Sequence, residues 1–308
     1  MTSYIIRRVG QFVLVFFAAT FLIFAMVFAI PGDPIRALAG DKPMPETLRQ
    51  TLTQQFHLDE PFLAQYWHYM TGVLQGDLGT SFNNREVLDI IKERFPRTLQ
   101  LAIMAFIIEV VVGVSAGIWA GIRKDKFLDS LVKVSTVAVI SIPIFVLGFL
   151  AQLIIGVRLG WLPVTAGNPP TVYGYLLPAI VLASVSLAYV ARLTRSSLVE
   201  NLRSDYVRTA KAKGLSQRRV IGVHTFRNSL IPVVTFLAID LGALMGGAIV
   251  TESIFNIPGL GQAVYQATLA QEGAVVVGIV TVLVIIYAVA NLVVDVMYAV
   301  LDPRIRYD

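Results

Sequence analysis

The sequence predicts an all-α integral membrane protein with six transmembrane helices and an external segment between the first and the second. Three observations carry that reading. Hydrophobic residues make up 56% of the chain and charged residues only 15%, against roughly 25% charged in soluble domains; mean hydropathy is +0.71. Apolar windows of about 20 residues, long enough to cross a bilayer as a helix, recur along the chain. Lysines and arginines crowd beside alternate ends of those windows, as the charge asymmetry of membrane proteins requires.

The first span covers about residues 9–30, behind Arg7 and Arg8, which hold the N-terminus in the cytoplasm. Its apolar run exceeds the core of a signal peptide and lacks a small-residue cleavage site, so a retained span is expected. Pro31-Gly-Asp-Pro34 ends it, because two prolines and a glycine do not continue a helix. Residues 31–97 then form an external segment with nine acidic and seven basic residues. Helical patterns open at Pro45-Glu46, run through the aromatic stretch 60–75, and recur over 84–94, with Gly76-Asp-Leu-Gly79 as a turn between the last two. An ordered external cap is expected there.

The second span, about 98–121, carries Gly113, Gly117 and Gly121 at four-residue spacing, a face that admits close approach of another helix. Arg123, Lys124, Lys126 and Lys133 lead into the third span, about 132–156. The fourth, about 173–191, contains Pro178; the fifth, about 229–251, carries Gly242, Gly246 and Gly247; the sixth covers about 273–299 and ends in a basic tail. Seventeen bases fall on segments assigned inside and one on the two short segments assigned outside. Both termini are therefore expected in the cytoplasm. The resulting organisation is a span at 1–30, an external segment at 31–97, a transmembrane domain at 98–301 containing the loop 192–228, and a tail at 302–308.

The most informative stretch is that loop. Nine of its residues are Lys or Arg (192, 195, 203, 208, 211, 213, 218, 219 and 227), opposed only by Glu200 and Asp205. Asp205 is suited to N-cap a helix starting at Tyr206, and Gly214 to stop it in the left-handed conformation. Lys211 and Lys213 then sit in the last turn, where the helix dipole favours cations. Eight residues span roughly 12 Å, too short to persist without a docking partner. A second helix is expected behind Ser216, with Val220, Val223 and Arg227 on one face.

The run from Asp205 to Pro232, DYVRTAKAKGLSQRRVIGVHTFRNSLIP, resembles the cytoplasmic coupling loop of binding-protein-dependent ABC importer permeases, in its peptide and nickel branch. Residues 208–210 (Arg, Thr, Ala) stand where the general motif has Glu-Ala-Ala, and Pro232 lies further from Gly214 than the general spacing; the peptide branch tolerates both. The resemblance extends over the chain through Pro31–Pro34, Gly76-Asp-Leu-Gly-Thr-Ser81, Thr194-Arg-Ser-Ser197, Glu252 to Gly261 and Asp302-Pro-Arg-Ile-Arg306, which are similar to the B-type permease of dipeptide and oligopeptide importers. It implies a type I permease core and a heterodimer with a second homologous permease. It also implies two ATPase subunits inside and a substrate-binding protein outside. The coupling role falls on Asp205, Tyr206, Val207, Arg208, Thr209, Ala210, Lys211, Ala212, Lys213 and Gly214. ATP and Mg would be held by the partner ATPases, since no Gly-Lys dipeptide offers a phosphate loop here. A nickel or metal-chelate importer of the same family is the alternative.

Other classes fit less well. No internal repeat supports a two-halved secondary transporter. Gly113-Val-Ser-Ala-Gly117 matches a serine-hydrolase elbow, but no histidine falls in a span to serve as base. Cysteine is absent, which excludes disulfides and thiolate metal sites, and no histidine–carboxylate spacing suggests a metal. Glu109, Asp240 and Asp295 interrupt apolar windows. Asp295 is near a span end; Asp240 either lines the path and meets a peptide's amino terminus, or is satisfied by a neighbouring helix or the second permease.

Overall fold

The computed structural model describes residues 2–28, 46–55, 59–167 and 169–301. The motifs at residues 31–34 and 302–306, the helix start at Pro45 and the side chain of Asp295 lie outside the described residues. Among those described, the chain is all helix apart from one isolated bridge between Thr80 and Glu86. We number the helices α1 (Thr2–Phe28), α2 (Glu46–Gln55), α3 (Phe62–Gln75), α4 (Val87–Ile122), α5 (Phe127–Ser141), α6 (Ile144–Arg158), α7 (Val172–Asn201), α8 (Asp205–Ala212), α9 (Val220–Ile254), α10 (Leu260–Leu269) and α11 (Gly273–Leu301). Helices α1, α4, α7, α9 and α11 are long and apolar enough to cross a membrane. A sixth crossing arises if the pair α5–α6, bent by 106°, is one broken span.

Several boundaries differ from the sequence reading for local reasons. The helical pattern at 84–94 and the second span are one helix, α4, because Pro96 falls inside it without breaking it. The third span is not continuous: Pro143 forces extended backbone at Ile142 and the chain turns there. Helix α7 runs ten residues past the expected end of its span, from 191 to Asn201, with Pro178 accommodated near its start.

Contacts divide the chain into two units, Met1–Thr98 with Pro258–Asp308, and Leu99–Ile257. In the first, α1 packs on α11 and α10 on α11. The aromatic helix α3 leans on α1, where Phe21 and Phe24 meet Phe62 and Tyr66 edge-on or tilted, with ring centroids 5.2–5.9 Å apart. The Tyr69 hydroxyl donates to Thr281 Oγ1 at 2.8 Å, and burial pushes its phenol up to about 12. Behind α3 the turn Gly76–Gly79 has both glycines at positive φ (85° and 88°), and Asp77 accepts from the Gly79 amide at 2.8 Å. A cavity of about 390 Å³ opens between Phe24, Phe28, Tyr69, Gly79 and Glu272. Trp67, in contrast, is largely exposed.

The second unit is organised around α7, which packs on α4, α5, α6 and α9. Glycines on α4 let it come close to α7. A Cβ built on Gly113 would sit 3.0 Å from Val190 Cγ1, one on Gly117 2.5 Å from Thr194 Cβ, and one on Gly121 2.9 Å from Leu198 Cδ2. Those three glycines form the packing face that their spacing suggests. On α9, Gly242 is buried while Gly246 meets nothing within 4 Å in this chain. Large apolar side chains such as Val134, Ile231 and Ile107 remain exposed, as lipid-facing residues of a membrane helix do.

Candidate functional site

Residues 192–228 form the end of α7, the short helix α8 and the start of α9 rather than a free loop. Helix α8 is the short helix expected from the sequence, one residue earlier: it starts at Asp205, and Ser204 is its N-cap. The Ser204 hydroxyl is spent on the Asn201 carbonyl, at 2.6 Å, so no side chain caps the α8 amides. Asp205 instead lies in the first turn, where its charge suits the dipole, and accepts from Arg208 at 3.0 Å. Gly214 ends the element with φ of +75°, the left-handed value that only glycine adopts at little cost.

The strong amphipathicity of α8 divides its surface in two. Val207 and Ala210 are buried against Val220, with Leu215 closing the cluster. Asp205, Arg208, Thr209, Lys211, Ala212 and Lys213 are exposed, and Tyr206 is at the margin. The Tyr206 hydroxyl donates to Asn201 Oδ1 at 2.6 Å, and Asn201 Nδ2 donates to the Ser197 carbonyl at 2.9 Å. Thus α8 is tied by apolar contacts to the start of α9 and by hydrogen bonds to the end of α7, with a charged face left outward.

The second helix of the loop is not separate. Ser216 precedes a single turn, Gln217–Arg219, that runs into α9 through a π-helical turn, Val220–Thr225. That turn shifts the helical phase, so Val220 is buried while Val223 and Arg227 face solvent instead of sharing its face.

A second feature lies nearby and was missed by the sequence reading. Asp129, in the first turn of α5, is fully buried and held from three sides. Arg195 of α7 donates to both its oxygens, Nε to Oδ1 and a terminal nitrogen to Oδ2 at 2.8 Å. Lys133 Nζ stands 2.9 Å from Oδ2, and the Asp125 amide donates to the same oxygen at 2.9 Å. This bidentate pair locks the α4–α5 connection to α7, two turns before the hydrogen bonds that anchor α8. The available signal was an acid four residues before Lys133, inside the basic run 123–133. Among the described residues, no group of three or more histidines, aspartates or glutamates is placed to hold a metal.

Helix α8 is thus docked on two membrane helices with its charged face outward. Comparison with known proteins gives the family. Residues 113–307 match the binding-protein-dependent transport system inner membrane component, and residues 1–102 match the N-terminal region of such membrane components. The chain belongs to this family. The glutathione transport system permease protein GsiC of Escherichia coli, and its counterparts in Shigella dysenteriae and Shigella flexneri, are each 38% identical to it over 308 residues, 100% of both chains. The chain is therefore a multi-pass ABC importer permease, as the motifs quoted above imply, and the family is one of transport components rather than enzymes. The carboxylates that interrupt the spans are also placed: Asp240 of α9 lies beside Glu109 of α4 and Ser186 of α7, half-buried in a helix contact.

Proposed function

We propose that this permease carries small peptides inward, in an importer driven by ATP hydrolysis on separate subunits that hold the nucleotide and Mg. It pairs with a second homologous permease to form the path, takes substrate from an external binding protein, and presents α8 to an ATPase on the cytoplasmic side. Both termini and α8 then lie in the cytoplasm, and the segment 31–97 lies outside the bacterial inner membrane. The observation that carries this reading is the two-faced α8, with Val207 and Ala210 packed inward and a basic face outward. The peptide class rests on the B-type peptide motifs and on relatives named for transport of glutathione, itself a tripeptide.

Deletion of the chain's gene followed by uptake assays tests the substrate. Loss of labelled glutathione or dipeptide uptake, restored by the wild-type chain, is expected. Loss of nickel uptake with unchanged peptide uptake would instead favour the metal-chelate branch.

A further inference from the structure

Two acidic side chains meet inside the apolar part of the second unit. Glu109 opens the π-helical turn Glu109–Gly113 in α4 and is fully buried, and neither of its carboxyl oxygens has a hydrogen-bond partner. Asp240 faces it from α9, and its buried Oδ2 is likewise without a partner. Among the described residues, the groups that act on the pair are the two carboxyls themselves and the Ser186 hydroxyl from α7, and no lysine or arginine does so. The neighbours along each helix are apolar: Phe106 and Val110 around Glu109, Phe236 and Leu237 around Asp240, packed on Val190.

An ionised carboxylate inside a span costs about 2.5–3.5 kcal/mol on insertion scales. Two side by side repel as well, and adjacent carboxyls of this kind do not both ionise. Each orphan oxygen is an acceptor, so neither carboxylate can satisfy the other. One proton ends the repulsion, removes one of the two charges, and turns one carboxyl into a donor to its neighbour, which leaves the remaining charge hydrogen-bonded. A substrate ammonium fits less well, since Glu109 is wholly enclosed by its own chain.

We propose that Glu109 and Asp240 bind one proton between them, taken from water, and as a carboxylic acid–carboxylate pair fasten the π-turn of α4 to α9. The site is a proton-dependent latch between two membrane-crossing helices. It is independent of which substrate the importer carries.

Infrared difference spectra of the full chain, in its assembled complex in lipid at pH 7, test this. Subtracting Glu109→Gln from wild type, and Asp240→Asn from wild type, is expected to reveal the same protonated-carboxyl C=O band, shifted down in D₂O. No band in either difference would overturn the proposal, as expected of a pair occupied by a metal cation or an ammonium. A band lost in one variant alone would also overturn it, since that acid would hold its proton unshared. Thermal unfolding gives a second reading that needs neither single variant. The unfolded chain releases a carboxyl proton from about pH 4 upward while the folded pair keeps it, so the wild-type complex should lose stability progressively as pH rises, until the folded pair itself ionises. The double variant Glu109→Gln/Asp240→Asn supplies donor and acceptor without a proton and should not lose that increment. Equal alkaline sensitivity in the two would contradict the latch.

Discussion

At Gly117 a methyl group would fall 2.5 Å from Thr194 Cβ and 2.6 Å from the Ala191 carbonyl oxygen, and the latter is backbone that cannot rotate away. Gly117→Val should therefore push α4 off α7, costing about 1–3 kcal/mol by overpacking and lowering the melting temperature of the assembled complex. An unchanged melting temperature would show that the two helices do not meet there. Asp129 makes the opposite kind of contact, electrostatic and buried. Asp129→Asn removes the charge that Arg195 and Lys133 share and should cost about 3–5 kcal/mol, as breaking one side of a buried pair does. Asp129→Leu combined with Arg195→Leu should be milder than the single change, measurable as a double-mutant cycle in the same unfolding assay. The glycines were legible because packing small residues leaves a periodic trace. Asp129 and the Glu109–Asp240 contact were not, since each depends on partners more than 60 residues away in sequence.

Helix α8 is the element to which the proposed function assigns coupling. Its existence and its stop at Gly214 were legible and stand in the structure within a residue, but the Asp205 cap was not borne out, since no side chain caps its amides. Its docking did not follow: the Tyr206–Asn201–Ser197 chain of hydrogen bonds requires α7 to run on to Asn201, where basic residues had suggested that the span had already ended. Charge marks where a helix leaves the membrane, not where it stops being helical. The bend between α5 and α6 was missed for a related reason, because hydropathy averages over Pro143 while backbone geometry does not. Gly214→Val places a β-branched side chain at φ of +75°, a strain of about 1–3 kcal/mol, at the point that fixes the end of α8. ATPase stimulation by loaded binding protein should fall while the helical content of the permease is kept. Full stimulation would mean that the end of α8 has no part in coupling.

For the molecule as a whole, the crossing pattern and the basic-residue asymmetry predict opposite sides for α2 and α8. The chain contains no cysteine, so introduced thiols report alone. Cysteine at the exposed Gln54 of α2 should react with an impermeant maleimide in intact spheroplasts; labelling only after the membrane is opened would reverse the topology. The deepest claim is that α8 is the surface on which the ATPase acts. Arg208 is 77% exposed on that helix, away from the Val207–Ala210 contact, so its replacement is expected to leave the fold intact. Arg208→Cys, joined to a short thiol-to-amine cross-linker in the purified, transport-competent complex, measures that claim most directly. A permease–ATPase adduct whose yield changes when ATP is added is expected. An adduct confined to the second permease or the binding protein, or none with the ATPase in a complex that still transports, would contradict it.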